Sequence, residues 1–217
     1  MKIIITCAGK SSRCGTELPK HVYEIQGKQN IKRTIDLLVN NKIKENDIII
    51  TTSKDNNKYF NEINIKKYIG SNEREIDRYR NIYEILDNEK TIVLYGDVVF
   101  HKKDLENILE IQSNKNIFFG RLGKNKITKK LYGEIFGVVV NDKEKFVEDT
   151  NKTAKLFEQK KIQRELGWDV YRVSGDMDLS MGNVKGSEYF FEVSDYTDDY
   201  DDLNEYKIIK EIYKGIE

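Results

Sequence analysis

Near the start of the chain, Cys7 to Lys20 (CAGKSSRCGTELPK) gather two glycines, three hydroxyl side chains, one arginine and two lysines. Small residues let successive backbone N–H groups face a single anion, and Arg13 and Lys20 add fixed positive charge. Ala8, Gly9, Lys10, Ser11, Ser12, Arg13 and Lys20 are thus candidates for holding a triphosphate. The order matches neither G-x-x-x-x-G-K-[ST] nor G-x-G-x-x-G, and an ordinary connecting loop accounts for the same residues. A second place for chemistry is LYGDVVF, residues 94–100, where Asp97 follows Gly96 at the end of an apolar run. A carboxylate there suits a hard cation held against phosphates; a plain Gly-Asp turn is the alternative. Acids gather again over residues 192–202, EVSDYTDDYDD.

Such residues act together only if the elements between them deliver them to one place. Residues 2–8 (KIIITCA), 47–52 (DIIITT), 66–69 and 91–95 (TIVLY) read as short buried strands. Between them, residues 30–41, 73–86 and 103–112 carry apolar side chains at helical spacing, among them Ile31, Ile35 and Leu38, then Ile76, Tyr79 and Ile82. Strands separated by crossover helices predict an α/β fold: a three-layer α/β/α sandwich around a mostly parallel, mixed sheet. The second half is less regular. Strands are expected at 116–119, 134–140, 168–173 and 189–193, and helices at 153–164 and 201–213. No repeat or linker divides the chain, which predicts one domain over 1–217. In open α/β sheets ligands settle beyond the carboxyl ends of the strands, where the opening loop and Asp97 both emerge.

Composition removes several classes of function. Thirty-seven basic residues balance 37 acidic ones, so no global field draws the chain onto nucleic acid or anionic lipid. Cys7 and Cys14 offer neither a disulfide framework nor a metal spacing. No apolar stretch approaches a membrane span, and Met1 leads straight into a strand, so a cytoplasmic protein is expected. His21 and His101 have no partner that suggests a covalent mechanism.

The order strand, Ala8-Gly9, Arg13, Pro19-Lys20, then Gly27-Lys28 before a helix resembles the nucleotidyltransferases of the glycosyltransferase-A-like, Rossmann-like fold. GKSSR is similar to molybdenum-cofactor guanylyltransferase, and TELPKHVYEIQGKQNI to the cytidylyltransferase acting on methylerythritol phosphate. The strand-Gly-Asp-x-x-Phe order resembles phosphocholine and sugar-phosphate nucleotidyltransferases. The resemblance implies that Arg13 and Lys20 support the departing pyrophosphate, with Gly96 beside the nucleotide and Asp97 on Mg²⁺. Residues 69–86 resemble the base-reading segment of methylerythritol phosphate cytidylyltransferase, which implies Gly70, Ser71, Arg74 and Asp77 as base contacts; a charged, solvated helix is the alternative. The tail YFFEVSDYTDDYDDLNEY resembles the closing pattern of the family and implies Asp195 as second metal ligand, with Asp198 and Asp199 as rivals; Asp201 and Asp202 read as caps of a helix N-terminus, where unsatisfied amides and the dipole favour acids. GEIFGVVV and VKGSEYFFEV resemble strands that flank the acceptor, which implies Glu134, Trp168, Lys185 and Glu192 as acceptor contacts.

The expectation is therefore a Mg²⁺-dependent transfer of NMP, from CTP first, to a small phosphorylated or phosphonylated acceptor, with product serving surface-polysaccharide (capsule) decoration. Residues 1–112 would form the nucleotide half and 113–217 the acceptor half. A glycosyltransferase of the same fold would carry D-x-D where this chain has Asp97-Val98-Val99, and a nucleotide-sensing domain would explain Ser11 and Ser194.

Overall fold

The computed structural model describes residues 1–9, 18–179 and 186–216. Of the candidates above, Lys10, Ser11, Ser12, Arg13 and Lys185 lie outside them, as does Cys14.

Seven strands form one sheet in the order β5-β4-β1-β6-β8-β7-β9. They are β1 (Lys2–Cys7), β4 (Ile48–Thr52), β5 (Lys66–Ile69), β6 (Thr91–Tyr95), β7 (Ile117–Arg121), β8 (Glu134–Val140) and β9 (Phe190–Glu192). β5, β4, β1 and β6 run parallel, β8 is antiparallel to both its neighbours, and β9 is parallel to β7. Isoleucine-rich β1 lies between β4 and β6, with Ile3, Ile4 and Ile5 fully buried, as a strand covered on both faces requires. A two-stranded ribbon, β2 (Glu24–Ile25) and β3 (Lys28–Gln29), turns through Gln26 and Gly27 with φ of 55° and 74°. Two positive φ values are what a two-residue hairpin of this twist demands, and glycine supplies one of them without strain.

The helices are α1 (Asn30–Asn40), α2 (Asp77–Arg80), α3 (Lys102–Glu110), α4 (Lys143–Glu158), α5 (Gly167–Ser174) and α6 (Leu203–Lys214). α1 packs beside α3, and α4 packs on α5 and beside α2, which gives the helical layers of an α/β sandwich. α6 lies against the β2–β3 ribbon.

Three elements differ from expectation. Residues 168–173 belong to helix α5, because the Asp169 carboxylate accepts the Leu166 N–H at 2.9 Å and starts a helix; a short apolar run does not distinguish strand from helix. The helix expected at 153–164 is α4, begun earlier by Asp142, whose side chain accepts the Lys145 N–H at 2.9 Å. The helix expected over 73–86 shrinks to the single turn α2. Asp77 accepts the N–H groups of Glu73 and Arg74 at 3.1 and 3.0 Å, and Asn81 grips the Ser71 backbone through both its N–H and C=O. Polar side chains that bond local backbone compete with helix.

Strand direction decides where the chemistry collects. Thr6 lies opposite Tyr95 and Cys7 opposite Thr52, so the segments after β1, β4 and β6 leave one edge of the sheet together. Because β8 runs the other way, its first residue, Glu134, starts at that same edge, opposite Arg121. Glu192 pairs with Gly120, which brings the tail there as well.

Candidate active site

A cavity of about 750 Å³ opens at this edge. Ala8, Gly9, Lys20, Ser71, Arg74, Asp97, Glu134 and Trp168 line it, together with Arg78, Tyr95, Asp199 and Asp201. The backbone around Asp97 is tightly held. The Gly96 N–H donates to the Thr6 carbonyl at 3.0 Å, and the buried Asn30 amide donates to the Gly96 and Val98 carbonyls at 3.2 and 2.9 Å. A Cβ on Gly96 would stand 2.4 Å from the Cys7 Sγ, so only glycine lets the end of β6 pass β1 this closely. Cys7 itself is buried, and burial pushes its thiol up.

Lys20 sits in a short turn with its ammonium 2.8 Å from Asp201. Burial opposes that charge, but Asp97 and then Asp201 outweigh it and raise the Lys20 pKa. Its neighbour His21 is buried and stacks on Phe60 at 5.0 Å. Burial pushes that imidazole down to about 3, so it is neutral.

The tail is pinned by Asp198. Its backbone bridges Val99, and its carboxylate receives Arg121 at 2.9 Å, Asn125 at 3.0 Å and Thr128 at 2.6 Å. With Asp198 so occupied and 1% exposed, the residues that reach the cavity are Asp199 and Asp201. Asp195 does not line it; its carbonyl accepts the Asn125 amide at 2.9 Å. Glu192 does not line it either; it is exposed and accepts the Leu122 N–H at 3.3 Å. Asp202 is the N-cap of α6, accepting from Asn204 and Glu205, whereas Asp201 turns to Lys20.

Glu134, Asp199 and Asp201 bring carboxylate oxygens within 4.8 Å of one another. Burial and then Asp199 push the Glu134 carboxyl up to about 10. Burial also works against charge on Asp199, but bonds with Glu134 and Lys130 hold it down to about 2. Lys130 is the buried cation of this group, 3.0 Å from Glu134 and bonded to Asp199, with Glu205 at 3.4 Å. Three carboxylates converging this closely offer the hard oxygen donors that fit a divalent cation of the Mg²⁺ type.

The expected base contacts divide. Ser71 lines the cavity, with its hydroxyl donating to Asp77 at 2.7 Å. Asp77 serves the loop as a backbone acceptor, and Gly70 is fixed by the Asn81 side chain, 2.3 Å from where a Cβ would lie. Arg74 holds Glu165 at 2.9 and 2.5 Å and Glu158 at 2.9 Å. Trp168 lines the cavity, and its Nε1–H donates to the Gly133 carbonyl at 3.2 Å. Lys130 and Arg78 escaped sequence reasoning. The one signal for Lys130 was its position four residues before Glu134; Arg78 gave none, since it reads as solvated on the expected helix.

The model of one family, IspD: 2-C-methyl-D-erythritol 4-phosphate cytidylyltransferase, matches residues 1–117. The chain belongs to this family. IspD membership makes it a nucleotidyltransferase, and the matched span holds β1, Lys20 and Asp97. No curated protein sequence matches it. Among solved structures it is similar to a protein described as a glucose-1-phosphate thymidylyltransferase from Bacillus anthracis, with TM-score 0.67, 15% identity, and coverage of 100% of this chain and 96% of that one. It is also similar to the CTP:phosphocholine cytidylyltransferase of Streptococcus pneumoniae, with TM-score 0.60, 15% identity and coverage of 97% and 98%. The inositol-1-phosphate CTP transferase from T. maritima gives TM-score 0.57, 15% identity and coverage of 100% and 97%. At these identities the likeness is one of fold, and it runs the full length of the IspD-family chain.

Proposed function

We propose that the chain is a Mg²⁺-dependent cytidylyltransferase that transfers CMP from CTP to a small phosphorylated or phosphonylated acceptor. The observation that carries this reading is the shared cavity at one sheet edge, which joins Lys20 and Asp97 of the family-matched span to Glu134, Asp199 and Asp201 of the tail half. An acceptor phosphate oxygen, already ionised at neutral pH, attacks the α-phosphorus. The new P–O bond forms as the bond to the β-phosphate breaks, and its electron pair leaves on pyrophosphate. Such a step rests on positioning and charge stabilisation.

In this reading Lys20 and Arg13 face the α-phosphate and the leaving group, with Ala8, Gly9, Lys10, Ser11 and Ser12 about the triphosphate. Asp97, Asp199, Asp201 and Glu134 would hold Mg²⁺, which supplies positive charge against the phosphate oxygens. The metal role expected of Asp195 passes to Asp199 and Asp201, because those two carboxylates line the cavity. Trp168 and Glu134 lie on the acceptor side, so residues 1–112 chiefly serve the nucleotide and 113–217 the acceptor. No helix of the described residues is long and apolar enough to cross a membrane; a cytoplasmic enzyme supplying an activated precursor for surface polysaccharide agrees with that.

The test is pyrophosphate release from each of the four NTPs against a panel of phosphorylated and phosphonylated alcohols, with and without Mg²⁺. CTP with one acceptor class should dominate. Release with another NTP would correct the nucleotide, and no release with any pair would sink the reading.

A further inference from the structure

Four cations stand among the described residues lining the cavity: Lys20, Arg74, Arg78 and Arg164. Three are committed to carboxylates, Lys20 to Asp201 at 2.8 Å, Arg74 to Glu165 at 2.5 Å, and Arg164 to Glu75 at 2.9 Å. Arg78 is held differently. Its guanidinium carbon lies over the Tyr95 ring, 3.8 Å from the centroid, and the Tyr95 hydroxyl is hydrogen-bonded to that of Tyr79. No carboxylate of the described residues forms an ion pair with Arg78; burial opposes its charge, while Tyr95 and then Asp97, two residues beyond Tyr95, favour it.

A guanidinium stacked face-on against a ring keeps its N–H groups pointing outward in its own plane. That plane is the one in which it grips two oxygens of a phosphate. We infer that Arg78, stacked on Tyr95 beside Asp97, is a phosphate-binding residue of this site, clasping a phosphate group of the nucleotide or of the acceptor. The inference rests on the transferase reading. It adds a specific cation to a site whose other described cations already have anionic partners.

Isothermal titration of the full chain with CTP, cytidine, pyrophosphate and inorganic phosphate, together with pyrophosphate-release kinetics over the acceptor panel, tests it in wild type, Arg78→Met and Arg78→Lys. If the nucleotide supplies the phosphate, both variants bind CTP and pyrophosphate at least tenfold more weakly, with cytidine unchanged. If the acceptor supplies it, CTP binding holds while the acceptor KM rises at least tenfold and inhibition by inorganic phosphate is lost. Arg78→Lys keeps the charge and loses the fork, so it should recover less than half of either defect on a logarithmic scale. Wild-type values in a folded Arg78→Met overturn the inference. Should that variant fail to fold, wild-type values throughout in Arg78→Lys overturn it instead. Failure of the transferase reading looks different: wild type turns over no NTP, yet still binds pyrophosphate or inorganic phosphate through Arg78.

Discussion

Lys20 lies among three acids, Asp97, Asp199 and Asp201, so its ammonium stays charged at any working pH. In the proposed reaction, removing it would take positive charge from the point where pyrophosphate leaves. Lys20→Met and Asp97→Asn should each cut turnover at least tenfold, about 1.4 kcal/mol of transition-state stabilisation. Steady-state kinetics decides this, and wild-type kcat in either variant would remove that residue from the mechanism. His21, next in sequence, governs a different property. Its imidazole is held down to about 3 when folded, against an ordinary 6.5. Between those values the unfolded chain binds a proton that the folded chain refuses. Stability is therefore complete above about pH 6.5 and drains as the pH falls, by up to about 1.4 kcal/mol per pH unit. Thermal midpoints measured from pH 7 to 4 should fall less steeply in His21→Phe; parallel profiles would show that another group dominates.

Among the elements, α5 bears most directly on the cavity, because its first residue meets the paired hydroxyls of Tyr79 and Tyr95. A Cβ at Gly167 would approach them to 2.9 and 2.8 Å. Gly167→Ala should cost about 1–3 kcal/mol through overpacking and disturb the ring on which Arg78 stacks. Urea unfolding measures the first effect, and an unchanged midpoint would mean that α5 shifts without cost. The central strands were legible in the sequence, since β1, β4, β6 and β8 are short runs dominated by isoleucine, valine and other strand-forming residues that leave little choice of structure. The delivery of Asp97 and Glu134 to one edge was legible in part, because each adjoins such a run. α2 and α5 were not, for their form depends on single carboxylates, Asp77 and Asp169, capturing nearby N–H groups. Nor was the inward turn of Asp199 in place of Asp195, which follows from Arg121 and Asn125 claiming Asp198 across more than 70 residues of sequence.

At the scale of the whole molecule, the candidate metal ligands come from the segment after β6, from the start of β8 and from the tail, so an ion bound by all of them ties distant segments together. Mg²⁺ present at a hundred times its dissociation constant should raise unfolding free energy by about 2.7 kcal/mol. Differential scanning calorimetry with Mg²⁺ and with EDTA reads this directly, and Asp97→Asn should lose most of the difference; equal midpoints in wild type would argue against a metal bound by the folded apo chain. Among the described residues, the same open sheet ends in two edge strands, β5 and β9. Unpaired edges invite another chain to add a strand. Here β5 begins with Lys66 and Lys67, and β9 is three residues long and ends in Glu192. Charge at one margin and brevity at the other discourage the accretion of further strands, and so guard a folded pool of this chain against aggregation.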